Sequence, residues 1–280
     1  LEPVSSKYIS NVVSVADIDN KNLKVKVGTQ NTTSSDVVQI VLKEQNTIVA
    51  MTKGVVGETL ELALADVKLW SPESPFLYDL EVTLLDKGKK TDKVKSYAAM
   101  RKISMHKDKD GIMRMQLNNK DCFQFGPLDQ GWWPDGLYTA PTDEALAYDI
   151  EKTKDWGFNM IRKHIKVEPA RWYTHCDRLG ILVWQDMPSG DNSPKWIQYN
   201  YFDGKENERS IESEENFKKE WREIMDYLMP YPSIVVWVPF NEAWGQFKTK
   251  EIAEWTEYYD PSRLVNAASG GNHYYKVGDI

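Results

Sequence analysis

The sequence predicts two domains of different class, an immunoglobulin-like β-sandwich followed by an incomplete (β/α)8 TIM barrel, and three observations carry that expectation. Residues 1 to about 105 hold short alternating or β-branched runs separated by turn clusters, with no stretch at the helical period. After Arg101 the period changes, and short apolar runs alternate with amphipathic helices in the manner of βα units. In that second half the residues that follow each apolar run are polar, as they are where a barrel presents its strand ends.

In the first half the strands are read from Leu23, Val25 and Val27 in NLKVKV, then DVVQIVL, TLELALA and LYDLEVTLL, with DIDNKN and DKGKK as turns. About 100 residues of closely spaced strands is the size of a sandwich. No cysteine lies there, so the inter-sheet disulfide of antibody domains is excluded.

The second half, 106–280, opens with DCFQFG as a first strand. PTDEALAYDIEKTKDWG is a helix capped by Thr142 or Asp143 and stopped at Gly157. Strand FNMIR follows, then a helix from Glu168 to Leu179 with Pro169 in its first turn and Gly180 as terminator, then strand ILVWQ. Phe217, Trp221, Ile224, Met225 and Leu228 share one helix face before the run IVVWVPF. Ile252, Ala253 and Trp255 belong to a helix before RLVNAA. No GxGxxG or GxxxxGK[ST] follows the first strand, so a barrel is preferred to a nucleotide-binding open sheet. Such a barrel takes about 250 residues, which places roughly three βα units beyond Ile280 and leaves a sheet edge expected to favour association into a homo-oligomer.

Composition narrows the function. A chain that is 41% hydrophobic and 28% charged is globular, and its net charge of −7 argues against a nucleic-acid partner. No run approaches the ~18 to 20 apolar residues of a membrane span and no leader is visible, so no membrane partner is expected. The chain reads as soluble, its compartment open, with a periplasmic or secreted bacterial setting as one alternative. Cys122 and Cys176 lack metal spacing and read as buried free thiols. The four histidines form no ligand pair, so neither a metal nor a cofactor is expected.

The candidate site lies at the strand ends: Asp129 and Gln130, Arg162 and His164, Gln185 and Asp186, Asn241 and Glu242, Asn266 and Ser269. For any single one of these, a solvated or helix-capping role is as good an explanation. Glu242 stands apart because it follows a seven-residue apolar run, Ile234 to Phe240, and precedes Ala243 and Trp244. Burial there is expected to raise its pKa, as a general acid requires. Ten of the eleven tryptophans lie in the second half. Trp132, Trp133, Trp184 and Trp244 sit at strand ends where a ring can stack on a sugar, whereas Trp156, Trp172, Trp221 and Trp255 read as core. The long connection from Met187 to Ile211, with Trp196, Tyr199, Tyr201 and Phe202, reads as a lid.

Four motifs resemble glycoside hydrolase family 2: LWSPESPFLYDLEVTL with the MRKI segment, GFNMIRKHI, YTHCDRLGILVWQDMP, and VVWVPFNEAWGQF. The resemblance covers nearly the whole chain and implies a retaining exo-acting β-glycosidase, β-galactosidase-like, acting on terminal β-linked sugars of a glycoside or oligosaccharide. It assigns the acid/base to Glu242, the contact with the sugar 2-hydroxyl to Asn241, and pocket roles to Arg162 and Asp186. His164, Trp184, Trp244 and Asp129 complete the expected substrate-binding set. The histidine stands one place earlier than in the family's Arg-x-x-His-x-Pro, and the family's nucleophilic glutamate has no match up to Ile280. The chain therefore reads as an internal piece, inactive alone. The alternative is a non-catalytic carbohydrate-binding or scaffold protein on a glycosidase fold.

Overall fold

A computed structural model describes residues 3–195 and 205–280. It forms two compact units, one through Lys102 and one from Ile103 onward. Trp196, Tyr199, Tyr201 and Phe202 of the expected lid lie outside the described residues. No described helix is long and apolar enough to cross a membrane.

The first unit contains β1 (Tyr8–Asp17), β2 (Asn22–Gln30), β3 (Val37–Glu44), β4 (Thr47–Val55), β5 (Thr59–Ala63), β6 (Tyr78–Asp86) and β7 (Lys89–Ala98). They form two antiparallel sheets, ordered β1-β2-β5 and β4-β3-β6-β7. Alternation sends Leu23, Val25 and Val27 of β2, Val38, Ile40 and Leu42 of β3 and Leu80, Val82 and Leu84 of β6 into a single apolar cluster. Three strands escape the sequence reading, β1, β4 and β7, and all are sheet edges. Little of them is buried: β4 has no buried residue, and β1 and β7 bury only Ile9 and Ala98.

Asp36, at the entry to β3, is buried and saturated with donors. Lys7 Nζ donates to it at 2.8 Å and the Thr33 N–H at 2.6 Å, tying the start of β1 to the second sheet. The lysine hydrogen bond, above all, holds its carboxyl down from 3.8 to about 2. A depressed carboxylate stabilises the fold above its unfolded pKa and loses that contribution as pH falls towards the folded value.

The second unit opens with a small antiparallel sheet of β8 (Ile103–Lys107), β9 (Met113–Leu117) and β10 (Lys120–Asp121). DCFQFG is therefore not the first barrel strand. Asp121 pairs antiparallel with Gln116, and Phe123 and Phe125 are exposed. The parallel strand starts just beyond, after Gly126 passes so close to Met160 that a Cβ would stand 1.7 Å from its carbonyl oxygen. Cys122 is correspondingly half-exposed, and only Cys176 is a buried thiol.

Five parallel strands then form one sheet in sequence order: β11 (Leu128–Asp129), β12 (Met160–Lys163), β13 (Leu182–Asp186), β14 (Ile234–Val238) and β15 (Leu264–Val265). Between them run α1 (Asp143–Asp155), α2 (Ala170–Leu179), α3 (Ile211–Leu228) and α4 (Thr249–Tyr259). Thr142 caps α1 by accepting the Ala145 N–H, and Gly180 ends α2 at φ 76°. Glu168 is not in α2, because extended Pro169 is its N-cap and the residue before a proline is disfavoured in helix. Trp172 and Trp221 are buried as expected, and Trp255 partly so, whereas Trp156 at the end of α1 is 75% exposed.

The Asp36 carboxylate yields the first prediction. Amide exchange of residues 7–101 should show stability falling as pH drops from about 4 to about 2, and Asp36→Asn should flatten that dependence. A wild-type profile that stays level across this window would remove the assigned role.

Candidate active site

Strand alternation divides the residues at the carboxyl end of the sheet into two groups. On one face Arg162 of β12 donates from Nε and Nη2 to both oxygens of Asp186 on β13, at 3.0 and 2.8 Å. Its Nη2 also donates to Asn241 Oδ1, just past β14, at 2.7 Å. Asp186 is fully buried, and burial pushes its pKa up, opposed by the Arg162 hydrogen bonds and charge. Arginine can only donate, so it fixes the amide: Oδ1 faces the guanidinium and the NH2 is left to donate elsewhere. One cation thus sets three neighbouring strand ends.

Beyond β14 the chain makes a strained turn. Glu242 and Ala243 both hold positive φ, 46° and 68°, which costs non-glycine residues of order 1 kcal/mol or more each. The turn is held at several points. Glu242 N–H donates to the Ser269 carbonyl at 2.8 Å, Ser269 N–H to Phe240 at 3.0 Å, and Trp244 N–H to Asn241 at 2.9 Å. Arg209, stacked on the Phe247 ring at 4.5 Å, donates to the carbonyls of Gly190 and Gly245, both at 2.6 Å. Gly270, at φ 103°, forms the wall beside the carboxyl side chain, and a Cβ there would stand 2.5 Å from Glu242 Cγ. Glu242 itself is exposed, so the burial expected from its apolar surroundings is not found. The left-handed turn swings its side chain out of the layer into which Phe240 and Ala243 are packed.

The second group turns toward the helices. Lys163 is buried over the Trp172 ring of α2 and pairs with Asp129 and Glu168, and Lys166 pairs with the same Glu168 oxygen at 2.9 Å. Gln185 accepts the Tyr173 hydroxyl proton at 2.7 Å. The bowl of polar strand ends is therefore smaller than expected. Asp129 and Gln185 belong to the sheet–helix interface, and Arg162, Asp186, Asn241 and Glu242 remain.

His164 is buried beside them, its N–H donating to the Asp129 carbonyl and its Nδ1 3.3 Å from Gln130 Nε2. Trp184 lies across from Arg162 on β13, two residues before Asp186, and its indole donates to Gln124 at 2.6 Å. Trp244 is 40% exposed in the strained turn. Arg209 and Gly270 escaped the sequence reading. An arginine just before a helix carries no periodic signal, but the Gly270-Gly271 pair after the last apolar run was a visible cue for a close approach.

An antiparallel sandwich unit precedes a barrel-type parallel sheet whose strand ends carry an arginine, carboxylates and an amide, the organisation of the TIM-barrel class. Within that class the chain belongs to glycosyl hydrolases family 2. The family's model matches residues 7–101, and the model of its TIM barrel domain matches residues 138–280. A β-galactosidase of Lactococcus lactis subsp. lactis is 26% identical over 76% of this chain and 20% of its own length. A putative β-glucuronidase of Formosa agariphila is 28% identical over 82% of the chain and 25% of its own. The solved β-D-glucuronidase of Dictyoglomus thermophilum superposes with a TM-score of 0.80 at 20% identity, covering 97% of this chain and 46% of that one. The chain thus spans a quarter or less of the length of these two curated relatives.

The ion pair can be tested without a substrate. Asp186→Ala leaves Arg162 without its compensating charge and should cost about 3 kcal/mol in urea unfolding. A loss below about 0.5 kcal/mol would show that the pair does not organise the strand ends.

Proposed function

We propose that the chain carries the acid/base part of a retaining exo-acting β-glycosidase site, with Glu242 as the proton donor. The observation that carries this reading is the Asn241–Glu242 pair at the end of β14, where Arg162 orients the amide and a strained turn presents the carboxyl. Glu242 protonates the glycosidic oxygen as the bond breaks and later takes a proton from the attacking water. The Asn241 NH2 donates to the sugar 2-hydroxyl. The retaining mechanism also requires a nucleophilic carboxylate about 5 to 5.5 Å from the acid.

The pairing of Arg162 with Asp186 supports a neutral sugar over a uronic acid, and the β-galactoside is taken from the family resemblance. Of the cations at the end of β12, Lys163 and Lys166 face the helices on Glu168, and Arg162, which faces the site, is already paired with Asp186. A substrate carboxylate would have to compete with Asp186 for that guanidinium. His164, Trp184 and Trp244 are the further residues assigned to the substrate pocket, while Asp129 supports it from the helix side.

The test is a panel of nitrophenyl β-glycosides offered to the full-length gene product that carries this chain. Cleavage of the galactoside, a loss of about 100-fold or more in Glu242→Gln, and no turnover by residues 1–280 alone are expected. Silence on every sugar would leave a non-catalytic carbohydrate-binding or scaffold protein. In the same assay Gly270→Ala should lower kcat by about 10-fold or more, because the added Cβ displaces the Glu242 side chain. An unchanged kcat would show that Gly270 does not set the position of the carboxyl.

A further inference from the structure

The turn that presents Glu242 is gripped from outside by one buried cation. Three residues along it, Glu242, Ala243 and Gly245, stand at positive φ, 46°, 68° and 69°. Backbone of this kind persists in non-glycine residues only where its surroundings over-determine it. Arg209 is the charged side chain that reaches it. That side chain is 5% exposed, and one of its nitrogens, Nη2, donates to the carbonyls of Gly190 and Gly245, both at 2.6 Å. The guanidinium lies over the rings of Phe247 and Phe217, 4.5 and 5.2 Å from their centroids. Gly245 leaves no room for a side chain at this contact. A Cβ there would stand 2.5 Å from the Gly190 oxygen and 2.6 Å from Arg209 Nη2.

Around this contact the two ends of the connection between β13 and α3 close on the turn. Gly245 N–H donates to the Asn192 carbonyl at 3.2 Å, Asn207 N–H to the Gln246 carbonyl at 3.1 Å, and Ser189 Oγ to the Trp244 carbonyl at 3.4 Å. Arg209 stands at the root of α3, immediately before Ser210, whose side chain caps the helix by accepting the Ser213 N–H. Its backbone is thus fixed by an 18-residue helix, and its side chain carries that fixity to Gly245, three places beyond Glu242. Asp191 lies 3.7 Å from Nε, outside hydrogen-bond reach, so the nearest acceptors of the charge are backbone carbonyls rather than a carboxylate. A lysine offers the charge, but not a plane that lies on two rings while donating to two carbonyls.

We propose that Arg209 is a positioning residue for the acid/base, setting the direction of the Glu242 carboxyl through the Gly245 carbonyl without touching the substrate. The inference rests on the reading of Glu242 as the proton donor. A general acid must meet the leaving oxygen at hydrogen-bond distance, and a displacement of about 1 Å lowers the rate steeply. Loosening the turn therefore penalises one step above all. In it the proton passes from Glu242 to the glycosidic oxygen as the bond to the sugar breaks, and the aglycone departs as a neutral alcohol.

That step gives a readout that a merely structural role does not move. An aglycone that leaves as a stable anion, 2,4-dinitrophenolate, needs no proton from the enzyme, whereas phenol does. The full-length protein and its Arg209→Gln, Arg209→Lys and Gly245→Ala variants are compared by kcat/KM on the phenyl and 2,4-dinitrophenyl β-glycosides of the sugar that the panel finds cleaved. The ratio of the two values does not depend on how much of a variant is folded. Arg209→Gln and Gly245→Ala should lose about 10-fold on the phenyl glycoside and less than about 2-fold on the dinitrophenyl one, with Arg209→Lys between them and wild type. Glu242→Gln should show the same split, larger. An unchanged ratio in Arg209→Gln beside a split in Glu242→Gln overturns the positioning role, whether the two substrates fall together or neither falls. Failure of the acid/base reading shows separately, as a Glu242→Gln protein with no split or a wild-type protein silent on the panel, and the inference then falls with it.

Discussion

The guanidinium of Arg162 is the interaction on which the candidate site depends. It joins β12, β13 and the turn after β14 in one hydrogen-bonded span, satisfying the buried Asp186 and orienting Asn241. A carboxylate without exposure is tolerable only with such a partner, and a bidentate geometry fixes direction as well as charge. Because Asn241 directly precedes Glu242, the same contact anchors one side of the strained turn. Ser269 and Gly270 from the segment after β15 anchor the other.

The two faces of the sheet divide the work. Toward the helices, Lys163, Glu168 and Asp129 make an ion cluster sealed under Trp172, and Lys166 extends it to the loop that bears Trp132. Toward the open end, polar groups are few and each is directed. Alternation along four-residue β12 is the cause: Arg162 and Lys163 are neighbours in sequence and face opposite sides of the sheet. The neighbouring charges thereby serve two separate networks.

Much of this was legible in the residues. The change of period near Arg101, the capped helix from Thr142 and the glycine stop at Gly180 are local signals, and they lead to the elements found. The Asn241–Glu242 pair was marked by the apolar run before it. What the sequence could not convey was direction. Asp129 and Gln185 read as site residues because they follow apolar runs, yet alternation turns each of them toward the helices, where Lys163 and Tyr173 hold them. The exposure of Glu242 was hidden for a related reason, since a left-handed turn of non-glycine residues leaves no mark in composition. Strands β1, β4 and β7 were missed because they bury one residue or none, so burial imposes no apolar alternation on them.

The grip on Asn241 has a chemical consequence of its own. Spontaneous loss of an asparagine amide proceeds through attack by the following backbone nitrogen on the side-chain carbonyl, and it needs both groups free to swing together. Here the following nitrogen, that of Glu242, is committed to the Ser269 carbonyl, and the side-chain oxygen is committed to Arg162. The hydrogen bonds that orient the amide thus also shield it from ageing into an aspartate, whose second negative charge beside Asp186 a single arginine could not balance.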